Sequence, residues 1–192
     1  MSTKPTPLDA LKARQGHGAR YDAPGAPHDD LLEARRGMAL FARQLGGLTD
    51  EALFDPSAID GLSCARIVTS VSYAARRQAV LLDVLSGRSG ADDHPLPDPA
   101  LAETLPPHAI RHLFHHCKTH LNISWRDLSD VDWDRMIAGD IPVRALPRRF
   151  LGQVGLAAVD LGTGARVGDL AGLLQDDRGE RKTLYFHKEE SV

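Results

Sequence analysis

Cysteine is nearly missing from this 192-residue chain, with only Cys64 and Cys117 present. Two thiols outside a C-x-x-C pair exclude a disulfide-stapled secreted scaffold. A surplus of basic charge is also missing: 23 Lys and Arg are interleaved with 26 Asp and Glu, for a net charge of -3. Nothing in that balance pulls the chain toward a phosphate backbone, so nucleic acid is not an expected partner. No run approaches the roughly 18 apolar residues of a membrane span. The opening MSTKPTPLDALKARQGHG has no apolar signal stretch, and the expected location is cytoplasmic, with no membrane partner. Gly-x-Gly-x-x-Gly, Walker and Gly-x-Ser-x-Gly patterns do not occur, which leaves nucleotide binding and α/β-hydrolase chemistry without local support. What is there, 42% hydrophobic and 26% charged residues, is the balance of one ordinary globular domain. At this size roughly 70% of the unfolded surface is buried on folding, so stability requires neither a disulfide nor a structural metal.

Helical periodicity organises the middle of the chain. Residues 1–27 carry Pro, Gly and few apolar side chains and read as a disordered N-terminal arm. From Asp29 on, Leu31, Arg35, Met38, Phe41 and Leu45 recur at helical spacing, with Asp29 and Asp30 as N-cap and Gly46-Gly47 as stop. A second helix is expected from Ser63, its N-cap, to Leu85, with Ile67, Val71, Ala74, Leu81 and Leu85 as its stripe and Gly87 ending it. Proline-rich loop chemistry follows, and Pro107 suits the first turn of a third helix running to about Asn122 on Ile110, Leu113, Phe114, Cys117 and Leu121. A short helical piece is expected around Trp133 to Ile137, then a fourth helix from Pro147 to Gly162. Beyond it, Val167 to Leu174 reads as a short helix and TLYF as a strand. The fold class is mainly α: a four-helix bundle over 28–164 with a small C-terminal helix and strand appendage over 165–192.

The conspicuous chemistry lies on the third helix. His112, His116 and His120 follow one another at four-residue spacing, with His115 beside them, so three imidazoles share one face. Such a face suits acid/base work, and with further ligands it could bind zinc; a solvated helix flank is the plainer reading. Cys117 falls on the apolar stripe, where a thiol acts as a small hydrophobe. Cys64, at a helix N-terminus, is the better candidate for a reactive thiolate, although structural use is the plainer reading. Asp160 and the earlier Arg148 and Arg149 read as charges of a solvated face or an ion pair.

Two stretches carry a family resemblance. LTDEALFDPSAIDGLSCARIVTSVSYAARRQAVLLDVLSG, with Asp55-Pro56-Ser57 and Gly61-Leu62-Ser63 ahead of its helix, and QVGLAAVDLGTG on the fourth helix together resemble the mycothiol-dependent maleylpyruvate isomerase family of DinB-like four-helix bundles. The resemblance covers about Leu31 to Gly164. It implies an open three-ligand metal site built from one His on the second helix and a Glu and a His on the fourth, used with a thiol cofactor. Carried onto this chain, those positions hold Ser70, Gln153 and Ala157, while the family's Asp remains as Asp160 and Arg149 stands four residues before Gln153. Serine and glutamine are weak neutral ligands and alanine is none, so no metal is expected there. Mycothiol enters by resemblance only.

The resulting expectation is a metal-independent small-molecule enzyme, an isomerase, cyclase or thiol-related transferase of specialised biosynthesis. His112 or His116 would serve as acid/base and Asp160 as an orienting carboxylate, with Ser70, Gln153, Ala157 and Arg149 around the substrate. The alternatives are a noncatalytic ligand-binding or partner-modulating protein, and a new metal site on the histidine face. Homodimer formation is left open.

Overall fold

Four helices with apolar faces carry the fold: α1 His28–Gly47, α2 Cys64–Leu85, α3 Pro107–Arg126 and α4 Leu146–Asp160. They come from a computed structural model that describes residues 21–88, 98–137, 140–166 and 168. The expected helix and strand after Val167, and most of the expected N-terminal arm, lie outside the described residues.

Local signals explain most boundaries. The Ser63 hydroxyl accepts the Arg66 N–H at 3.1 Å and so caps α2, which ends before Gly87 at φ +73°, a left-handed conformation glycine adopts without strain. Pro107 occupies the first turn of α3. Other boundaries move. α1 begins at His28, so Asp29 and Asp30 lie inside its first turn rather than capping it, where their charge still complements the helix dipole. α3 continues past Asn122 because Ser124 and Trp125 extend its buried stripe. On α2 the buried residue near the C-terminus is Leu82, and Leu81 faces solvent. The helical piece expected around Trp133–Ile137 is a single turn, Asp130–Trp133, followed by a two-residue antiparallel ladder of β1 Met136–Ile137 with β2 Ile141–Pro142. Segment 21–27 is tied to the bundle: Asp22 takes two hydrogen bonds from Arg35 at 2.7 Å, and the Gly25 N–H reaches Asp130 at 2.7 Å.

Cross-helix contacts fix the topology. Gly37 of α1 abuts Leu151 and Val154 of α4, and Asp30 pairs with Arg148, so α1 and α4 run parallel. Asp83 meets His120 and Arg88 reaches the Ser124 carbonyl, while Ser63 meets Glu103 just ahead of α3, so α2 and α3 are also parallel. Arg111 donates to the carbonyls of Leu45 and Leu48, and Arg35 to Asn122, which sets α1 against α3. Cys64 approaches the Leu161 carbonyl and Gln78 the Leu146 carbonyl, so α2 and α4 are antiparallel. The bundle is therefore up-down-down-up. Its centre is aromatic: Phe41 and Phe114 lie 4.8 Å apart between ring centroids, and Trp125 meets Phe150 edge-on at 6.0 Å. Among the described residues no helix is long and apolar enough to cross a membrane.

Two stability outcomes follow. Phe41 is fully buried, so Phe41→Ala should cost about 3–5 kcal/mol, read as a lowered urea midpoint at unchanged slope. Asp132 closes a capping box, accepting the Ser129 hydroxyl at 2.6 Å and its N–H at 3.0 Å. Burial disfavours its charge, but those bonds together with Arg135 and Arg88 outweigh it and hold the carboxyl below its ordinary value. A depressed folded-state pKa stabilises above the unfolded value and is lost as pH falls through the folded one. The urea stability of the wild type should thus exceed that of Asp132→Ala at neutral pH and converge toward it in acid.

Candidate functional site

The first three turns of α2 are buried almost all the way round: among Cys64 to Tyr73 only Arg66 retains appreciable exposure. Such burial demands partners for every hydroxyl. Thr69 donates to the Arg66 carbonyl at 3.1 Å and Ser72 to the Val68 carbonyl at 2.7 Å. Ser70 is the exception. It is 9% exposed and its Oγ is buried with no hydrogen-bond partner among the described residues.

Ser70 belongs to a polar stripe, because Tyr73 and Arg77 follow at i+3 and i+7 and share its face. Tyr73 is buried; burial, with the nearby Cys117 and Asp98, raises its phenol pKa against the opposing pull of Arg76, so it stays protonated. Arg77 keeps exposed surface, yet loss of water around it lowers its guanidinium pKa, and it has no counter-ion among the described residues. Asp98, Pro99–Ala102 and Glu103 cross the outside of α2 here, with Arg66 3.6 Å from Asp98 and the Ser63 hydroxyl 3.2 Å from Glu103. Tyr73 and Arg77 carried no sequence signal beyond their spacing from Ser70, which identifies the stripe once Ser70 is known to be orphaned.

The two bonds that tie α2 to α4, Cys64 to Leu161 and Gln78 to Leu146, place Ser70 level with the middle of α4. Gln153 lies there, half-buried, and Ala157, fully buried, is one turn nearer Cys64. Arg149, one turn the other way, is exposed and unpaired among the described residues. Gln78 adds a second unpartnered buried atom, its Oε1. Asp160, the last residue of α4, is 1% exposed, and its carbonyl accepts the Ala58 N–H at 2.9 Å. Ser70 on α2 and Gln153, Ala157, Arg149 and Asp160 on α4 thus lie on two antiparallel neighbouring helices, with Ser70 and Gln153 at about the same level.

His112 and His116 are not at that seam. Both are exposed on α3, on the face whose His120 meets Asp83 of α2 at 2.8 Å. Asp83 is thirteen residues beyond Ser70, about 140° round the α2 axis. A separate cleft of about 400 Å³ opens between α1 and α3 beside Asp22, Arg35, Asn122 and Arg126, but its charges are already matched, Arg35 by Asp22 and Arg126 by Asp127.

Neither thiol is activated. Cys64 is buried with its Sγ 3.6 Å from the Leu161 carbonyl, and burial, then the Asp55 carboxylate, raise its pKa against the opposing pull of the backbone N–H at the helix start. This is a structural cysteine: desolvation outweighs the N-terminal amides. Burial pushes Cys117 up to about 11.

The side chains at the seam do not fit a three-ligand metal centre. Alanine offers no donor, serine and glutamine are neutral, and among the described residues no group of three His, Cys, Asp or Glu is placed to hold an ion. No protein-family model matches the chain, and no curated protein matches it. Among solved structures it is similar to the mycothiol-dependent maleylpyruvate isomerase and to a histidine-to-alanine mutant of that protein, each with TM-score 0.69 and 24% identity over 77% of this chain. The match spans 65% of the length of those structures. The likeness shows the fold, a maleylpyruvate isomerase-like helical bundle.

With both thiols protonated and enclosed, native protein at pH 7 should react negligibly with a thiol-exchange reagent such as DTNB, and two thiols per chain should titrate in denaturant.

Proposed function

We propose, starting from a bundle of maleylpyruvate isomerase-like fold, that the α2 face carrying Ser70, Tyr73 and Arg77, beside the α2–α4 seam, binds a small carboxylate-bearing molecule and acts on it as an isomerase, cyclase or thiol-related transferase, with no metal at the seam. One observation carries this reading: among the described residues a buried hydroxyl without a partner, Ser70, shares a helix face with a guanidinium without a counter-ion, Arg77. The buried Ser70 hydroxyl carries a desolvation cost that a ligand would recover, and the exposed Arg77 guanidinium is open to pair with one. An anion supplies what both lack. Arg77 would pair with a carboxylate, Arg149 would add positive potential, and Ser70 and Gln153 would complete its hydrogen bonds. The Tyr73 phenol, kept protonated by burial, is suited to donate toward negative charge developing on a substrate oxygen. Asp160 would orient groups at the Cys64 end.

A thiol cofactor such as mycothiol is carried to this chain by the resemblance alone. The exposed position of His112 and His116 favours a second reading, in which the seam holds a ligand without turning it over; both readings share the anion and differ in turnover.

Ser70→Ala separates binding from folding. Removing an unpaired buried hydroxyl should leave the melting temperature unchanged or raise it, by the equivalent of about 1 kcal/mol, while weakening ligand. Thermal melts with millimolar maleate, against its neutral diamide, should show stabilisation by the acid alone, reduced in Arg77→Gln. Equal shifts for acid and diamide, or for wild type and Arg77→Gln, would discard the anion assignment.

A further inference from the structure

The imidazoles of α3 stand outside the seam. His108, His112, His116 and His120 recur every fourth residue and so line one helix face. His120 is engaged, its Nε2 2.8 Å from the Asp83 carboxylate, which Arg88 also holds at 3.0 Å. His112 and His116 are exposed and make no hydrogen bond or ion pair among the described residues. Their rings nevertheless stand side by side, centroids 6.3 Å apart and planes 23° from parallel. The next pair, His116 and His120, is 6.5 Å apart but turned by 60°.

We propose that His112 and His116 form a two-nitrogen chelate for a borderline divalent transition metal, Zn²⁺, Ni²⁺ or Cu²⁺, on the α3 surface. Imidazole nitrogen selects those ions over Mg²⁺ and Ca²⁺, which take oxygen ligands. Spacing of i and i+4 is that of the paired histidines in helical zinc motifs. Metal–nitrogen bonds of about 2.0–2.1 Å in tetrahedral geometry bring two ring nitrogens to about 3.3 Å. Closing from the present separation requires rotation of two exposed side chains, and no existing bond is broken in doing so. With two protein ligands the remaining positions belong to water or to an external ligand, so affinity falls short of that of a closed structural zinc site. His115 points about 100° round the helix from His116 and is left out of the stacked pair, and Asp83 keeps His120 out of it.

Calorimetric titration of the untagged chain with ZnCl₂ and NiCl₂ at pH 7 tests this. One ion per chain should bind in the micromolar range, and His112→Ala and His116→Ala should each weaken binding about tenfold or more. His115→Ala and His120→Ala should bind as the wild type does. All four side chains lie at or near the surface, and circular dichroism verifies that each variant is folded. With Cu²⁺, the electron paramagnetic resonance spectrum should show coupling to two nitrogens, falling to one in His116→Ala. Absence of saturable micromolar binding, or affinity indifferent to His116→Ala, overturns the site; loss in His120→Ala with none in His112→Ala overturns the pairing.

Discussion

Burial of the N-terminal half of α2 on all sides is the constraint on which the rest depends. A bundle helix ordinarily hides one stripe and leaves the remainder to water, which can satisfy any hydroxyl. Here α3 and α4 cover two flanks, and the chain from Asp98 to Glu103 crosses a third. Every polar group in those turns must then be satisfied inside the protein or bear the cost of desolvation. Thr69 and Ser72 solve the problem by bonding back to their own helix, a solution open to any serine or threonine at a helical position. That Ser70 does not adopt it, on the same helix and one residue from a neighbour that does, makes it the informative member of the set.

The periodicity of the sequence reports which side chains want the core, and for α1, α2 and α3 it located the helices because Leu31, Met38, Phe41, Ile67, Val71, Ile110, Phe114 and Cys117 all occupy buried positions. Capping residues with a local mechanism, Ser63, Gly87 and Pro107, were legible for the same reason. The short ladder at Met136–Pro142 was not, since two residue pairs are too few to show an alternation of period two. On α1, two adjacent aspartates suggested a cap one residue too late, because carboxylates are as favourable within the first turn as before it.

The candidate site was legible only in part, and the reason is physical. Ser70, Gln153, Ala157, Arg149 and Asp160 were reached through a resemblance, and two cross-helix bonds bring their helices into register. Tyr73 and Arg77 could not be singled out from one sequence, because the burial of the one and the missing counter-ion of the other, among the described residues, are defined only once the surrounding chain is in place. The histidines were conspicuous by spacing, but spacing does not say which way a helix is turned. The hydrogen bond between His120 and Asp83 fixes the rotation, and His112 and His116 on that face are exposed to solvent.

The parallel pairing of α1 with α4 has a consequence for biosynthesis. The apolar face of α1 is complete when Leu45 has been made, but part of what covers it, Leu151 and Val154, arrives roughly a hundred residues later. At translation speeds of about 5–20 residues per second, that face waits on the order of 5 to 20 seconds on the ribosome without its final partner. The bundle cannot close helix by helix as an up-down meander would; its final docking event joins the first helix to the last. A nascent chain of this topology therefore carries part of the α1 apolar face uncovered for as long as α4 is unmade.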